Sequence, residues 1–129
     1  MLPRHRRIRS ADQFRAVTRS GVRASAACVV VQVRARVGES QSGLPTRVGF
    51  VVGRSVGGAV PRNRVTRRLR HLMASRIPTL PPDLEIVVRA LPAAGAATPE
   101  QLGRDLDLAL GRCLKRLGQP AMTLAEGSP

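Results

Sequence analysis

The sequence predicts an α+β fold, a two-layer sandwich in which three helices pack against a small sheet. Two observations carry that prediction. Apolar residues recur with a period of two in some stretches and a helical period in others, in the order helix–strand–strand–helix–strand–helix. The chain is also 129 residues long and 43% hydrophobic, which suits one domain with one real core. Phe14 and Phe50 are its only aromatic residues, so valine, leucine, isoleucine and alanine must build that core.

Each element has its own warrant. Residues 1–9 form a basic, proline-containing arm, expected to be mobile until bound. Ser10 followed by Gln13 reads as a capping box opening a helix over 11–19, which stops at Gly21. In 26–37, Val29, Val31, Val33 and Val37 alternate with Val30, Gln32, Arg34 and Arg36, which gives a strand with one apolar and one increasingly basic face. Residues 38–46 are polar and rich in glycine and serine, hence a loop, and 47–54 form a second strand. Gly57-Gly58 punctuates the chain before a helix over 61–76, with proline in its first turn and Pro78, Pro81 and Pro82 ending it. A third strand covers 85–90. The last helix opens at Thr98-Pro99-Glu100-Gln101 with a second capping box and carries an apolar stripe from Leu102 to Leu117. Residues 118–129 read as a disordered tail, which leaves 1–117 as the folded unit.

Charge narrows the function. Lysine and arginine total 22 against eight acidic residues, a formal net charge of +14. The surplus is lopsided: residues 1–76 hold seventeen basic and two acidic residues, whereas 77–129 hold five and six. A polyanion is the partner that relieves such self-repulsion. The arm has no apolar stretch behind it, so no signal peptide is expected, and nothing approaches the ~18 apolar residues of a membrane span. A cytoplasmic protein with no membrane partner and no small-molecule substrate follows. Cys28 and Cys113 lack metal spacing and read as buried, reduced thiols.

The helix over 61–76 concentrates the signal. At about 100° per residue, Val65, Leu69, Leu72 and Met73 form a core stripe. Asn63, Arg64, Arg67, Arg70 and His71 cluster opposite, with Arg62, Thr66 and Arg68 on the flanks. Seven arginines and no acid lie between Arg54 and Arg76. A solvated helix would interleave glutamates to offset that repulsion. Left standing, it fits phosphates as the counter-charge, since a guanidinium fork pairs with phosphate and stacks on unpaired bases.

At this point a family becomes recognisable. Val48-Gly49-Phe50-Val51-Val52 leading to Arg54, then Gly57-Gly58-Ala59-Val60-Pro61-Arg62-Asn63-Arg64-Val65-Thr66-Arg67-Arg68-Leu69-Arg70, resembles the signature of the protein subunit of bacterial ribonuclease P. The likeness extends upstream to the arginine-rich arm, Phe14, Val17 and Gly21, and downstream to the third strand, over residues 4–117. It implies a mixed sheet of four strands where the residues alone show three, and a ribosomal-protein-like domain with a left-handed crossover, against the usual right-handed rule.

The resemblance also implies a function. The chain would be the accessory subunit of a ribonucleoprotein endonuclease that removes the 5′ leader of precursor tRNA. The RNA subunit would perform the hydrolysis with its own Mg²⁺, and the protein alone would not be catalytic. Arg54, Arg62, Asn63, Arg64, Arg67, Arg68 and Arg70 would contact the catalytic RNA. Phe14, Val30, Gln32 and Arg34 would line a leader cleft between the first helix and the sheet. Four positions depart from the family pattern: Gly58 replaces a usual asparagine, Thr66 a usual lysine, and Thr18 and Gln32 stand where aromatic residues are expected. Base–aromatic stacking is worth roughly 1–3 kcal/mol per base, so a weaker leader preference is expected.

Other chemistries find little support. His5 and His71 have no partner carboxylate or nucleophile nearby in sequence, and Asp105 and Asp107 project to different sides of one helix. The competing reading is a non-enzymatic structural RNA binder of ribosomal-protein type, which the block from Arg54 to Arg70 disfavours.

Overall fold

The structure is a computed structural model that describes Ile8 and residues 11–35 and 45–118; the side chains of 11–14 and 20 also lie outside it. Helix α1 (Ala11–Ser20) leads into strands β1 (Val22–Ser25) and β2 (Val29–Ala35). After β3 (Arg47–Val51) come helix α2 (Ala59–Arg76), strand β4 (Leu84–Ala90) and helix α3 (Pro99–Leu117). The sheet order is β1-β2-β4-β3. β1 and β4 each pair antiparallel with β2, and β3 pairs parallel with β4, so α2 is the crossover joining two parallel neighbours.

The sheet is therefore mixed and four-stranded, one strand more than the residues alone show. The extra strand is β1, ahead of the expected first strand. It has four residues and only Val22 and Ala24 to mark a period, too few for alternation to register. Two other boundaries also moved. Arg54 falls in a 3₁₀ turn instead of a strand, and α2 begins at Ala59, ahead of Pro61. The capping box at Ser10 and Gln13, the loop over 38–44 and the tail from 119 lie outside the described residues.

Alternation sorts the strands into two faces. Val29, Val31, Val33, Val48, Leu84, Ile86 and Val88 meet α2 and α3 in the main core, which holds Val65, Leu69, Met73, Leu102, Leu106, Leu110 and Leu114. This is the sheet-and-helix sandwich the periodicities predict. α1 covers part of the opposite face, where Val17, Val87 and Ile8 form a smaller apolar cluster with Val51. Ile8 also donates its N–H to Val48 O at 2.9 Å, so the arm is anchored at that residue on the outer edge of β3.

α3 is fixed at its start by both halves of a capping box. Gln101 N–H donates to Thr98 Oγ1 at 3.1 Å and Thr98 N–H donates to Gln101 Oε1 at 2.9 Å. Such a cap stabilises a helix by about 0.5–2 kcal/mol. Further along, Asp105 accepts the N–H of Cys28 at 2.8 Å and Asp107 accepts Arg76 Nε at 2.5 Å, tying α3 to the β1–β2 turn and to the end of α2.

Candidate nucleic-acid interface

The approach to α2 explains why its first turn stands open. Residues 54–56 make one 3₁₀ turn, leaving Arg54 exposed and burying Val56. Gly57 then adopts φ 148°, ψ −166°, a region that essentially only glycine occupies. A Cβ there would lie 2.8 Å from Pro61 Cγ. The next residue, Gly58, is the N-cap, with no side chain to satisfy the free N–H groups of the first turn and no acid in that turn. The positive end of the helix dipole thus has no acidic residue of its own first turn beside it.

Along α2, Val65, Leu69 and Met73 are fully buried and Leu72 is half-buried, the stripe expected from the periodicity. Asn63, Arg64, Arg67 and His71 are exposed on the far side, together with Val60. Arg62, Thr66, Arg68 and Arg70 are half-buried flanks; Arg70 lies closer to the protein than its expected place among the outermost residues. Thr66 turns its hydroxyl back onto Arg62 O at 2.9 Å, so it does not replace the outward charge of a lysine.

Three of these guanidiniums, those of Arg62, Arg64 and Arg68, are positioned by backbone. Arg64 Nη2 donates to Gly95 O at 3.4 Å and Arg68 Nη1 to Ala97 O at 3.2 Å, both in the loop before α3, while Arg62 Nε donates to Gly58 O at 3.3 Å. That loop is held close by Gly95, whose Cβ would meet Val56 O at 2.6 Å. Each bond uses one of the five donors of a guanidinium and leaves the rest for another acceptor. Among the described residues, none of Arg54, Arg62, Arg64, Arg67, Arg68 and Arg70 is in an ion pair. Arg70 Nε is shielded from solvent and has no hydrogen-bond partner.

The face of the sheet beneath α1 gathers the other expected residues. Val30, Gln32 and Arg34 share it along β2, with Arg89, Val87 and Glu85 as their register partners on β4. Val30 and Gln32 are buried, Gln32 to 7% exposure, so they form the floor of the layer under α1. Phe14 belongs to α1, and its side chain lies outside the described residues. Arg34 is committed internally: its Nε donates to Glu85 Oε1 at 3.0 Å and its Nη2 reaches the same oxygen. Glu85 is only 3% exposed, and Arg47 of β3 stands opposite it in register on the other side. Sequence reasoning missed Glu85 and Arg47 here, because only strand register brings positions 34, 47 and 85 into one row.

Neither cysteine is poised for chemistry. Burial, and then the Asp105 carboxylate, push the Cys28 thiol up to about 11, and burial pushes Cys113 up to about 11 as well. Among the described residues no three histidine, cysteine, aspartate or glutamate side chains converge. No helix among them is long and apolar enough to cross a membrane.

Comparison with known proteins agrees with this arrangement. The family model for ribonuclease P matches residues 2–114. The ribonuclease P protein component of Streptomyces bikiniensis is 49% identical over 118 residues, covering 88% of this chain and 96% of that protein. That of Acidothermus cellulolyticus is 47% identical over 113 residues, covering 87% and 91%. In structure, the chain is similar to the RNase P protein of Staphylococcus aureus, with a TM-score of 0.70 at 23% identity over 81% of this chain and 92% of that one. The Thermotoga maritima RNase P protein gives a TM-score of 0.67 at 22% identity, over 84% and 96%.

Proposed function

This chain belongs to the ribonuclease P protein family, the protein components of a tRNA-processing ribonucleoprotein nuclease, and on that premise we propose how it works within the complex. The outer face of α2 binds the backbone of the catalytic RNA. Arg64 and Arg67 are its central forks, Arg62, Arg68 and Arg70 its flanks, and Asn63 a polar contact beside them. Arg54 and the open first turn of α2 extend that surface to a phosphate at the helix N-terminus. The sheet face under α1, with Val30 and Gln32 as floor and Phe14 on the helix above, receives the 5′ leader of precursor tRNA. Mg²⁺ is held mainly by the RNA, which carries out the hydrolysis; the protein by itself does not cut. The complex works in the cytoplasm.

One observation carries this reading: six arginines from 54 to 70 stand without a carboxylate partner among the described residues, while Arg34 on β2 and Arg76 at the very end of α2 have one each. Where a counter-charge was wanted inside the protein, the chain supplies it. From Arg54 to Arg70 it does not, and phosphates supply it instead. Family membership removes the ribosomal-type alternative.

The test is reconstitution. Catalytic RNA at low Mg²⁺ is mixed with the wild-type protein or with an Arg64→Glu/Arg67→Glu variant, and precursor-tRNA cleavage is followed. Stimulation by the wild type, and its loss for the variant at matched concentration, is expected. Equal stimulation by a folded variant overturns the assignment of the α2 face.

A further inference from the structure

A second basic cluster lies outside the site just described. Arg112, Lys115 and Arg116 are exposed near the end of α3, and Arg23 is exposed on the edge strand β1. The fold brings the two elements together as a ladder. Arg112 Nη1 donates to Ser25 O at 3.2 Å, and Arg116 Nη1 donates to Arg23 O. Residues 112 and 116 are one helical turn apart, and 23 and 25 are two strand positions apart. These spacings, about 6 Å and 7 Å, match well enough for both bonds to form.

Two ordinary roles account for part of this. The two arginines seal outward carbonyls of an edge strand, and cations at the end of a helix complement its dipole. Neither role needs Arg23 or Lys115, whose side chains make no hydrogen bond or ion pair among the described residues. No acidic residue occurs from 13 to 38 or from 108 to 125, so the ridge is uncompensated in its own sequence neighbourhood as α2 is. Arg112 and Arg116 are held by one donor each, which leaves four donors per fork for an outside acceptor.

Geometry separates this ridge from the α2 site. Arg64 and Arg68 grip the loop just before α3, whereas Arg112 and Arg116 lie 14 to 18 residues beyond Thr98. At 1.5 Å per residue that is about 21–27 Å along the helix. One phosphate group cannot serve both ends; a polyanion with regularly spaced phosphates can.

We propose that Arg23, Arg112, Lys115 and Arg116 form a second RNA-backbone contact, on the far end of α3 from the loop that the α2 arginines hold. The proposal rests on the RNA-bound reading above, and the ligand is the phosphate backbone of either the catalytic RNA or the precursor tRNA.

The test uses an Arg23→Gln/Lys115→Gln variant, since neither side chain is bonded within the described fold. Affinity is measured against salt in two arms: protein binding to catalytic RNA alone, and precursor tRNA binding to the assembled holoenzyme. Each lost phosphate contact lowers the log–log slope by about 0.7–0.9, so the double variant flattens one arm by roughly 1.4–1.8. Flattening in the first arm identifies the catalytic RNA, and flattening in the second identifies the precursor. An Arg64→Gln/Arg67→Gln variant is run beside it. If that variant flattens the slope and the ridge variant leaves both arms unchanged, the second contact is overturned and the α2 assignment stands. If the α2 variant changes nothing, the earlier reading falls on its own evidence, whatever the ridge does.

Discussion

Replacing Gly57 by alanine tests whether the turn before α2 is a glycine-only hinge. At φ 148°, ψ −166°, a residue with a Cβ costs about 1–3 kcal/mol in backbone strain. The new Cβ would also lie 2.8 Å from Pro61 Cγ and 3.2 Å from Pro61 Cβ. A proline ring cannot swing aside, so the first turn of α2 must shift, which adds a packing cost of about 1–3 kcal/mol. Reduced freedom of the unfolded chain returns about 0.4–1 kcal/mol. The net expectation is a loss of about 2–4 kcal/mol, built from those terms. The neighbouring Gly58→Ala is the control. Its φ is −74° and a Cβ there meets nothing within 4 Å, so its effect stays within about 1 kcal/mol. Urea unfolding of the three proteins, with the slopes compared to confirm the same transition, measures both. Losses that agree within about 1 kcal/mol would refute the hinge, since of the two only Gly57 has the positive φ and the close Pro61 ring.

Two further outcomes follow from the same structure. Both thiols are raised from 9.0 to about 11, so folding favours their neutral form. That stability is fully present below pH 9 and is lost between 9 and 11; wild type should lose stability over that window relative to a Cys113→Ala chain, and parallel curves would contradict it. Glu85→Gln removes the carboxylate beside Arg34 and opposite Arg47, and should cost about 1–3 kcal/mol while freeing Arg34 for an anion. Tighter binding of a leader-bearing precursor by the holoenzyme at low salt is the expected companion effect, and unchanged affinity counts against an Arg34 contact.

Much of this was legible because single elements announce themselves. The α2 stripe of Val65, Leu69 and Met73 and its arginine face follow from a 3.6-residue period. The cap at Thr98 and Gln101 needs only four residues in a row. What stayed hidden depends on pairing between distant segments. β1 is too short to show a period, and the row of Arg34, Glu85 and Arg47 exists only once β2, β4 and β3 are in register. The same is true of the α3 ridge. Residues 77–129 are net acidic as a segment, so a tally hides Arg112 and Arg116, which the fold sets against the strand that carries Arg23. Arg70 shows the limit of helical projection: its angle places it outward, yet its Nε is shut away from water.

Both native cysteines are buried, which allows a cleavage reagent to be tethered selectively to a single new thiol at exposed His71, on the arginine face of α2. In an assembled, active holoenzyme carrying His71→Cys, the tethered reagent should cut the catalytic RNA strands lying against that face. Intact catalytic RNA in the same active complex would show that the unpaired arginines look toward something else.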